Sequence, residues 1–480
     1  MVFNSLAFLG FFAVVALVMS STNILKVQKL LGEKLLCVRH CLLLIFSYIF
    51  YAWWDWRFAF LLLGMAAVVY FCALGYGKKK QKLFVAIGVV VPLLVLGFFK
   101  YFNFFTDSFA EMFGIQRKGA LNIILPLGIS FYIFQALSYI VDVYREKLPI
   151  ERSFVRLTLY ISFFPQVVSG PVVKARDFLP QLSQDRNINL ANLEKGIQYF
   201  VFGLFKKIVI ADRIAVAVNA VFNAPENYHA VSILLAVLGY SIQIYCDFSG
   251  YSDMAIGCAK ALGYDLTRNF NMPYISKNVT EFWKRWHISL SSWLMEYLYI
   301  SLGGNRKGKI RTYINLFLTM LIGGLWHGAA WNFVIWGALH GAALCVHKIW
   351  MKLRGHDKNY KGRPLGCVLS AVLTYLFVSF CWIFFRAENF QVAFAVLKGI
   401  FTWQNGILYT SNWLWLGLAL TVAFTSVAIL KSRKRQQAPD GYYPMVKLNT
   451  IWGLTILLVM IGLTVGLAYT GGNPFIYFQF

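Results

Sequence analysis

The chain has 480 residues, of which 59% are hydrophobic and only 14% are charged. Too few polar side chains remain to cover a water-facing surface, so the composition excludes an ordinary soluble globular protein. Lysine and arginine outnumber aspartate and glutamate by 45 to 20, which gives a formal charge of +25. These basic residues lie mainly between apolar segments, where they orient membrane proteins, so we infer no nucleic-acid partner.

Apolar segments long enough to cross a hydrocarbon layer of about 30 Å recur along the chain. With three shorter or interrupted segments, they predict about ten to twelve membrane spans. The long segments are Ser5–Met19, Phe58–Tyr76, Leu83–Phe99, Ile123–Tyr144, Ala230–Ile244, Tyr313–Leu325, Asn332–Val346, Val368–Phe385, Trp413–Leu430 and Ile451–Tyr469. The shorter ones are Cys41–Trp54, Phe154–Val168 and Tyr199–Phe222.

Basic clusters between the spans predict the orientation in the membrane. They all fall on the cytoplasmic side if the helices alternate and the N-terminus is outside, which leaves the C-terminus outside as well. The protein is then a multi-pass protein of the plasma or inner membrane, embedded in its lipids. The first segment has no basic residue before it and no small-residue cleavage site after it, so it is predicted to be retained. The clusters are Lys26–Arg39, Lys78–Lys82, Arg145–Arg156, Lys348–Arg363 and Lys431–Arg435.

No long linker divides the chain, so residues 1–480 are predicted to form one membrane domain. Within it, 1–145 supplies N-terminal helices, 146–347 a catalytic core and 348–480 C-terminal helices. Prolines and charged residues interrupt the apolar segments of the core. Such backbone is tolerated at membrane depth only where protein or water surrounds it, so this part should form the interior.

Two histidines lie in or beside very apolar segments, where an ionisable side chain is costly and therefore a functional candidate. His327 belongs to GGLWHGAAWNFVIWGALHG and His287 to TEFWKRWHISLSSWL. A continuous helix from Arg311 would raise His327 by about 24 Å, deep into the layer. Burial among Trp326, Trp331 and Trp336 would keep its imidazole neutral, since burial disfavours the charged form. His327 is therefore a candidate general base for a hydroxyl group that attacks a thioester.

The segment Asn278–Ser301 is predicted to be an amphipathic helix at the cytoplasmic interface. Phe282, Trp286, Ser289 and Trp293 recur in it at three- and four-residue spacing. A plain interfacial anchor with tryptophans at headgroup level is the alternative, but it leaves the histidine of RWH unexplained. That histidine, His287, could orient the donor or complete a proton path.

Structural roles compete with the catalytic one. Gly323, Gly324, Gly328 and Ala329 would let His327 hydrogen-bond a closely packed neighbouring helix instead. If residues 327–340 formed one helix, His340 would face about 140° away from His327, so it is predicted to be a packing or hydrogen-bonding residue. No H-x-x-x-H pair supports a metal site, and none is predicted.

Six segments of the chain resemble the membrane-bound O-acyltransferase family and, within it, a bacterial alginate O-acetyltransferase branch. They cover most of the chain in order, and their combination is far more specific than any one of them. They are Ile124–Arg145, Phe163–Leu182, Gln243–Gly257, Asn269–Gly308, residues 323–341 and the terminal FIYFQF.

The resemblance implies an all-α polytopic membrane protein with re-entrant or interfacial helices around a central funnel. It implies that His327 is the principal catalytic residue and His287 its companion. An acyl thioester, in the first place acetyl-CoA, would approach from the cytoplasm as a substrate, with no bound cofactor. The acyl group would leave on the outer side, where an SGNH-hydrolase-like partner would relay it to an exported polysaccharide.

Residues around the two motifs are expected to line the substrate path or to support the histidines. Two other functions stay open at this point: D-alanyl transfer to teichoic acid, and polysaccharide export or transport without acyl transfer. The expected supporting residues are Trp283, Arg285, Trp286, Asp253, Trp326, Asn332 and His340.

Overall fold

The computed structural model describes residues 1–79, 81–115, 121, 123–168, 170–186, 188–355, 364–420, 423, 446–469, 471, 473 and 475–476. Within these ranges the chain is helical and contains no β-strand, apart from an isolated bridge between Tyr228 and Ile407. The predicted all-α class is therefore confirmed.

We number the helices of the described part in chain order. They are α1 (Leu6–Ser21), α2 (Leu25–Leu31), α3 (Leu35–Ala52), α4 (Trp56–Lys79), α5 (Lys82–Leu96), α6 (Phe102–Met112), α7 (Ile129–Tyr144), α8 (Phe154–Ser162), α9 (Phe164–Val167), α10 (Ala175–Phe178), α11 (Leu190–Phe205), α12 (Asp212–Asn223), α13 (Ala230–Ala261), α14 (Val279–Arg285), α15 (Ile288–Trp293), α16 (Lys309–His327), α17 (Trp331–Leu353), α18 (Pro364–Arg386), α19 (Phe390–Phe401) and α20 (Ile451–Gly466). Turns of π-helix follow α5, α11 and α15.

Six helical segments are long and apolar enough to cross a membrane, so the protein is a multi-pass membrane protein. This number, which refers to the described residues, is lower than the predicted ten to twelve. One reason is that the apolar segment 199–222 is interrupted by the π-helical turn Lys206–Ala211. The predicted span Trp413–Leu430 lies partly outside the described residues. The six segments are Leu25–Ala52, Trp56–Lys78, Lys82–Met112, Ala230–Ala261, Trp331–Leu353 and Leu365–Arg386.

The spans differ in how far the protein encloses them. In Ala230–Ala261, 72% of the most apolar stretch is buried, compared with 17% in Lys82–Met112. The expectation that residues 146–347 supply the interior stays a prediction. The described residues group into two compact units, Met1–Phe200 with Ser252–Thr267, and Val201–Tyr251 with Arg268–Phe480. The single domain and the central funnel stay predictions.

In the first unit, α7 is almost wholly enclosed by protein. Fourteen of its 16 residues are buried, because α4, α5, α8 and α10 surround it. Its polar side chains have partners inside the protein: the hydroxyl oxygen of Ser138 lies 3.0 Å from that of Tyr160. The carboxylate of Asp142 lies 3.8 Å from the guanidinium of Arg176. The apolar segment that predicts a membrane span here is therefore a helix enclosed by other helices of the protein.

In the second unit, α16 and α17 form a closely packed antiparallel pair joined by residues 328–330. A Cβ atom on Gly324 would collide with the carbonyl oxygen of Phe333, and one on Gly337 with that of Met320. Glycine thus lets the two backbones touch, as in other close helix crossings in membranes. This crossing sets the positions of His327 at the end of α16 and of the first turns of α17.

Candidate active site

The segment that carries His287 is not one interfacial helix but three pieces. Helix α14 ends at Arg285, α15 begins at Ile288, and a π-helical turn, Leu294–Tyr299, follows. Trp286 is 1% exposed and Trp293 6%, so these rings pack inside the protein. The anchor alternative, which places the tryptophans at headgroup level, is therefore wrong.

Local hydrogen bonds explain where the helix breaks. Asn278 caps α14 by accepting from the backbone N–H of Glu281 at 2.8 Å, and a carboxylate oxygen of Glu281 accepts from the N–H of Lys277. At the other end, the carbonyl of Arg285 accepts from the N–H of Asn271, and the N–H of Ile288 donates to the carbonyl of Asn269. The extended segment 269–271 thus satisfies the backbone groups that the break leaves open.

His287 lies at this break in an unusual backbone conformation. Its φ is +45°, in the left-handed region that non-glycine residues rarely adopt. Residues held in this region persist only where the surroundings determine them, and they cluster at functional sites. The side chain is fully buried, and its ring contacts the ring of Phe248 with centres 4.6 Å apart. The break therefore places one particular imidazole inside the core.

Hydrogen bonding sets the tautomer of His287. Its Nδ1 lies 3.0 Å from the side-chain oxygen of Asn269, which only accepts, so Nδ1 carries the proton. The same oxygen also accepts from the backbone N–H and the hydroxyl of Ser289. His287 lies outside the six spans, and burial lowers its pKa to about 3. The ring is therefore neutral at physiological pH, and Nε2 is its basic nitrogen.

His327 is the last residue of α16 and lies in an aromatic enclosure. It is 3% exposed, and the ring centres of Trp326, Trp336 and Phe385 lie 5.0, 5.0 and 5.3 Å from its own. The prediction that Trp331 also encloses His327 is wrong. Trp331 is 52% exposed, because α17 begins there. Phe385 of α18 takes that place.

The two predicted catalytic histidines come together. Their ring centres are 6.2 Å apart, and Trp326 contacts both rings, at 6.0 Å from His287 and 5.0 Å from His327. Two imidazoles at this distance can contact one substrate molecule between them or exchange a proton through it.

Trp336 contacts both His340 and His327. One helix ends at His327 and the next begins at Trp331, so residues 327–340 do not form the single helix that would turn His340 about 140° away from His327. The ring centre of Trp336 lies 5.0 Å from that of His327 and 4.9 Å from that of His340. The indole N–H of Trp283 donates to Nδ1 of His340 at 3.3 Å, so the neutral ring is protonated at Nε2. This is the opposite tautomer from that of His287.

The other predicted supporting residues have distinct positions. Trp286 stacks on Phe282 and contacts Trp382, which makes it part of the aromatic core. Arg285 pairs with Glu281 at 2.8 Å and donates to the carbonyl of Asn271, so it secures the end of α14. Their role toward a substrate stays a prediction.

Asn332 has a clear structural contact near the site, whereas Asp253 lies in the other compact unit. The side-chain amide of Asn332 donates to the carbonyl of Ala387 at 2.8 Å, which ties the start of α17 to the end of α18. Asp253 is half-buried and belongs to the first compact unit, so its link to the histidines stays a prediction.

The loop after His327 opens into a cavity of about 480 Å³ within the second unit. Its lining is mixed: small residues from the loop, an aromatic ring, and polar and charged side chains from α12, α13 and α18. A cavity of this size is suitable for a small molecule or for one group of a larger one. The lining residues are Lys207, Ala211, Asp212, Ala215, Asn219, Tyr240, Gln243, Asp247, Gly328, Ala329, Ala330, Asn332, Phe333, Arg386, Ala387, Glu388, Asn473 and Ile476.

A buried ion cluster supports one wall of this cavity. The ammonium group of Lys207 lies 2.8 Å from Asp212 and 2.6 Å from Asp247. The other carboxylate oxygen of Asp247 accepts from the N–H of Ile476 at 2.8 Å, and Lys207 also donates to the carbonyl of Asn473. The cluster therefore ties residues near the C-terminus to the cavity.

Sequence reasoning missed Asn269, Phe385 and the residues of the ion cluster as parts of the site. Asn269 stands in NFNMPY, eighteen residues before His287, and only the folded chain brings the two together. The positions of Asp212 and Asp247 in apolar segments indicate buried ion pairs, because carboxylates there need partners. The sequence did not say which cation they bind.

Comparison with known proteins adds an independent observation. The sequence pattern of the membrane-bound O-acyltransferase family matches residues 151–365, which include both histidines. A probable alginate O-acetylase of Pseudomonas aeruginosa is 41% identical over 451 residues, covering 92% of this chain and 83% of the relative.

Two more relatives extend the comparison. A peptidoglycan O-acetyltransferase of Helicobacter pylori is 38% identical, covering 75% of this chain and 73% of the relative. A teichoic acid D-alanyltransferase of Bacillus subtilis is 31% identical, covering 56% and 71%. With a buried histidine pair beside a polar cavity, these similarities show that the chain belongs to the membrane-bound O-acyltransferase family, in its alginate O-acetylase-like branch, and is an O-acetyltransferase.

Proposed function

We propose that the protein transfers an acyl group, in the first place acetyl, from a cytoplasmic thioester to an extracytoplasmic hydroxyl acceptor for polysaccharide O-acetylation. One observation carries the proposal: His287 and His327 meet inside an aromatic enclosure, and the loop after His327 lines a polar cavity. Relatives named for acetylation of alginate and of peptidoglycan support a polysaccharide or cell-wall acceptor.

In the proposed reaction, His327 takes the proton of the acceptor hydroxyl as its oxygen attacks the thioester carbonyl. A carbon–oxygen bond forms, the carbon–sulfur bond breaks, and the proton passes to the leaving sulfur, which departs as a free thiol. His287, fixed by Asn269 with its basic nitrogen at Nε2, holds the donor or takes part in the proton transfer. The aromatic rings around both histidines exclude water, which would otherwise hydrolyse the thioester.

The donor that we propose is acetyl-CoA, used as a substrate rather than as a bound cofactor. Acetyl-CoA is large, charged and cytoplasmic, whereas an exported glycan does not return to the cytoplasm. Passing only the small acyl group through the protein solves this separation. The basic clusters between the spans support an inner-membrane orientation with both termini outside. An SGNH-hydrolase-like partner on the outer face would carry the acetyl group on to the polysaccharide.

D-alanyl transfer to teichoic acid is the second candidate. The similarity to a teichoic acid D-alanyltransferase supports it, but that similarity covers 56% of this chain, against 92% for the alginate O-acetylase. The two donors distinguish the candidates: acetyl-CoA serves the first, and a D-alanyl thioester on a carrier protein serves the second. Export without acyl transfer, the third alternative, finds no support among these relatives, which are named as acyl-transferring enzymes or acetylases.

The test is replacement of His327 by alanine in the full-length protein. We expect the O-acetyl content of the exported polysaccharide to fall to background, and thiol release from acetyl-CoA by the purified protein to stop. His347→Gln is the control, because this histidine lies on α17 and bonds to Thr280, away from the pair. Wild-type acetylation in His327→Ala cells, with equal amounts of protein in the membrane, would reject the proposal.

A further inference from the structure

One face of α13 lines the cavity but takes no part in the steps above. Tyr240, Gln243 and Asp247 are spaced by three and four residues, so they lie on the same side of the helix. All three line the cavity that begins at Gly328, the residue after His327. The cavity therefore presents a row of polar side chains, and its lining includes the residue that follows the proposed base.

The members of this row differ in their hydrogen bonding. Asp247 is engaged, by Lys207 at 2.6 Å and by the N–H of Ile476 at 2.8 Å. In contrast, the hydroxyl of Tyr240 and the side-chain carbonyl of Gln243 have no hydrogen-bond partner within the described part of the chain. Tyr240 is 1% exposed and Gln243 8%, so water does not freely solvate these groups.

Buried polar groups of native proteins are nearly always hydrogen-bonded, and each exception calls for an explanation. Here the two exceptions stand beside each other on one helix, and both line the same cavity. Packing does not explain them, because phenylalanine and methionine would fill the same space without the loss of a hydrogen bond. A ligand that enters the cavity and bonds to both groups would explain them.

The chemistry of the pair indicates the kind of ligand. The phenol of Tyr240 can donate a proton, and the amide oxygen of Gln243 can accept one. An alcohol both donates and accepts, so an acceptor with neighbouring hydroxyl groups matches the pair, while the hydroxyl that reacts keeps its proton for His327. The two cationic side chains of the lining already have partners inside the protein. Lys207 pairs with the carboxylates, and Arg386 donates to the side chain of Asn219 at 2.7 Å.

We infer that Tyr240 and Gln243 are positioning residues that hold the alcohol acceptor in the cavity next to His327. This inference rests on the proposed function and goes one step further, since it assigns residues to the acceptor side of the reaction. Tyr240 donates to an oxygen of the acceptor, and Gln243 accepts from a hydroxyl of the acceptor other than the one that reacts. They do not exchange protons with the reacting atoms.

The test uses the full-length protein in detergent, which gives substrates access to both sides. Acetyl-CoA is the donor and glycerol the acceptor probe, and acetylated glycerol and free thiol are measured separately. For Tyr240→Phe and Gln243→Met we expect the KM for glycerol to rise about three- to tenfold, the effect of losing one neutral hydrogen bond. The KM for acetyl-CoA, measured at saturating glycerol, should stay unchanged.

Tyr245→Phe is the matched control, because Tyr245 lies on the same helix but does not line the cavity. An unchanged KM for glycerol in both variants would overturn the inference, and so would a parallel loss of donor affinity, which indicates a general structural role. Thiol release without any acetylation of glycerol by the wild type would also overturn it. If the wild type releases no thiol at all, the proposed function fails, and the inference fails with it.

Discussion

The imidazole rings of His287 and His327 lie 6.2 Å apart between their centres, although forty residues separate them in the chain. One ring sits at a helix break and the other at a helix end, and Trp326 contacts both. The arrangement makes both imidazoles part of one deeply buried site.

Because Asn269 forms a hydrogen bond with His287, we expect its substitution to reduce activity strongly, although the two residues are eighteen positions apart in the chain. Asn269→Leu keeps the size of the side chain but removes the oxygen that fixes the His287 ring and Ser289. We expect the rate of acetyl transfer to fall about 10- to 100-fold, the usual cost of a misplaced catalytic group. Asn269→Asp retains an acceptor and should lose less. The measurement is thiol release from acetyl-CoA at equal protein concentration.

Asn315→Leu is a suitable comparison for that experiment. Asn315 is also a buried asparagine, but it donates to the carbonyl of Gly304 and does not contact either histidine. If both variants lose the same activity, a general loss of stability explains the result and not the orientation of His287.

Trp336 is expected to be the side chain on which the stability of the site depends most. It is fully buried, contacts both His327 and His340, and stacks on Trp382. Trp336→Ala would leave a large cavity and cost about 3–5 kcal/mol of folding free energy. A thermal unfolding curve of the purified protein measures this. Trp350→Ala, on the same helix but 51% exposed, should change the midpoint little, and an equal shift in both variants would contradict the prediction.

The crossing of α16 and α17 predicts that single methyl groups are not tolerated at Gly324 or Gly337. Alanine at either position would press on backbone atoms of the other helix, which cannot move away as a side chain can. We expect a loss of about 1–3 kcal/mol in stability, together with reduced acetyl transfer because His327 is displaced.

Gly366→Ala is the matched control for the crossing. A Cβ atom there meets nothing within 4 Å, and alanine is the better helix former. Stability and activity should be retained or slightly improved. Full activity of Gly324→Ala would show that the two helices do not need this close approach.

The ion cluster predicts a large cost for removing one cation. Lys207→Met leaves Asp212 and Asp247 buried without their positive partner, and breaking a buried pair in this way costs about 3–5 kcal/mol. The thermal midpoint should fall clearly. Adding Asp247→Asn to Lys207→Met removes one of the uncompensated charges, so the double variant should recover part of the loss. A single variant as stable as the wild type would contradict this account.

Much of this protein could be read from local pattern. Apolar composition and segment length predicted a helical membrane protein, since these properties follow from the side chains of each segment alone. The cost of burying an ionisable group singled out His287 and His327, and the structure brings them together. The motif order around them predicted the family, which the comparisons confirm.

Other features were misread because they depend on partners that local pattern does not show. The three- and four-residue spacing of Phe282, Trp286, Ser289 and Trp293 is typical of an amphipathic helix, yet the helix breaks at His287. The break is stable only because segment 269–271 supplies hydrogen bonds to it. Likewise, Trp331 seemed suited to enclose His327 by its nearness in sequence, but Phe385 of another helix does so.

By itself, the sequence determined that the protein lies in a membrane, that it is helical, and which two histidines are the candidate catalytic residues. These depend on hydrophobicity and chemical type, which each residue carries wherever it is placed. Only the tertiary structure decided the distance between the rings, the tautomers of His287 and His340, and the cavity beside His327. The physical reason is that hydrogen-bond partners and ring contacts come from helices far apart in the chain, and packing alone selects which of them meet.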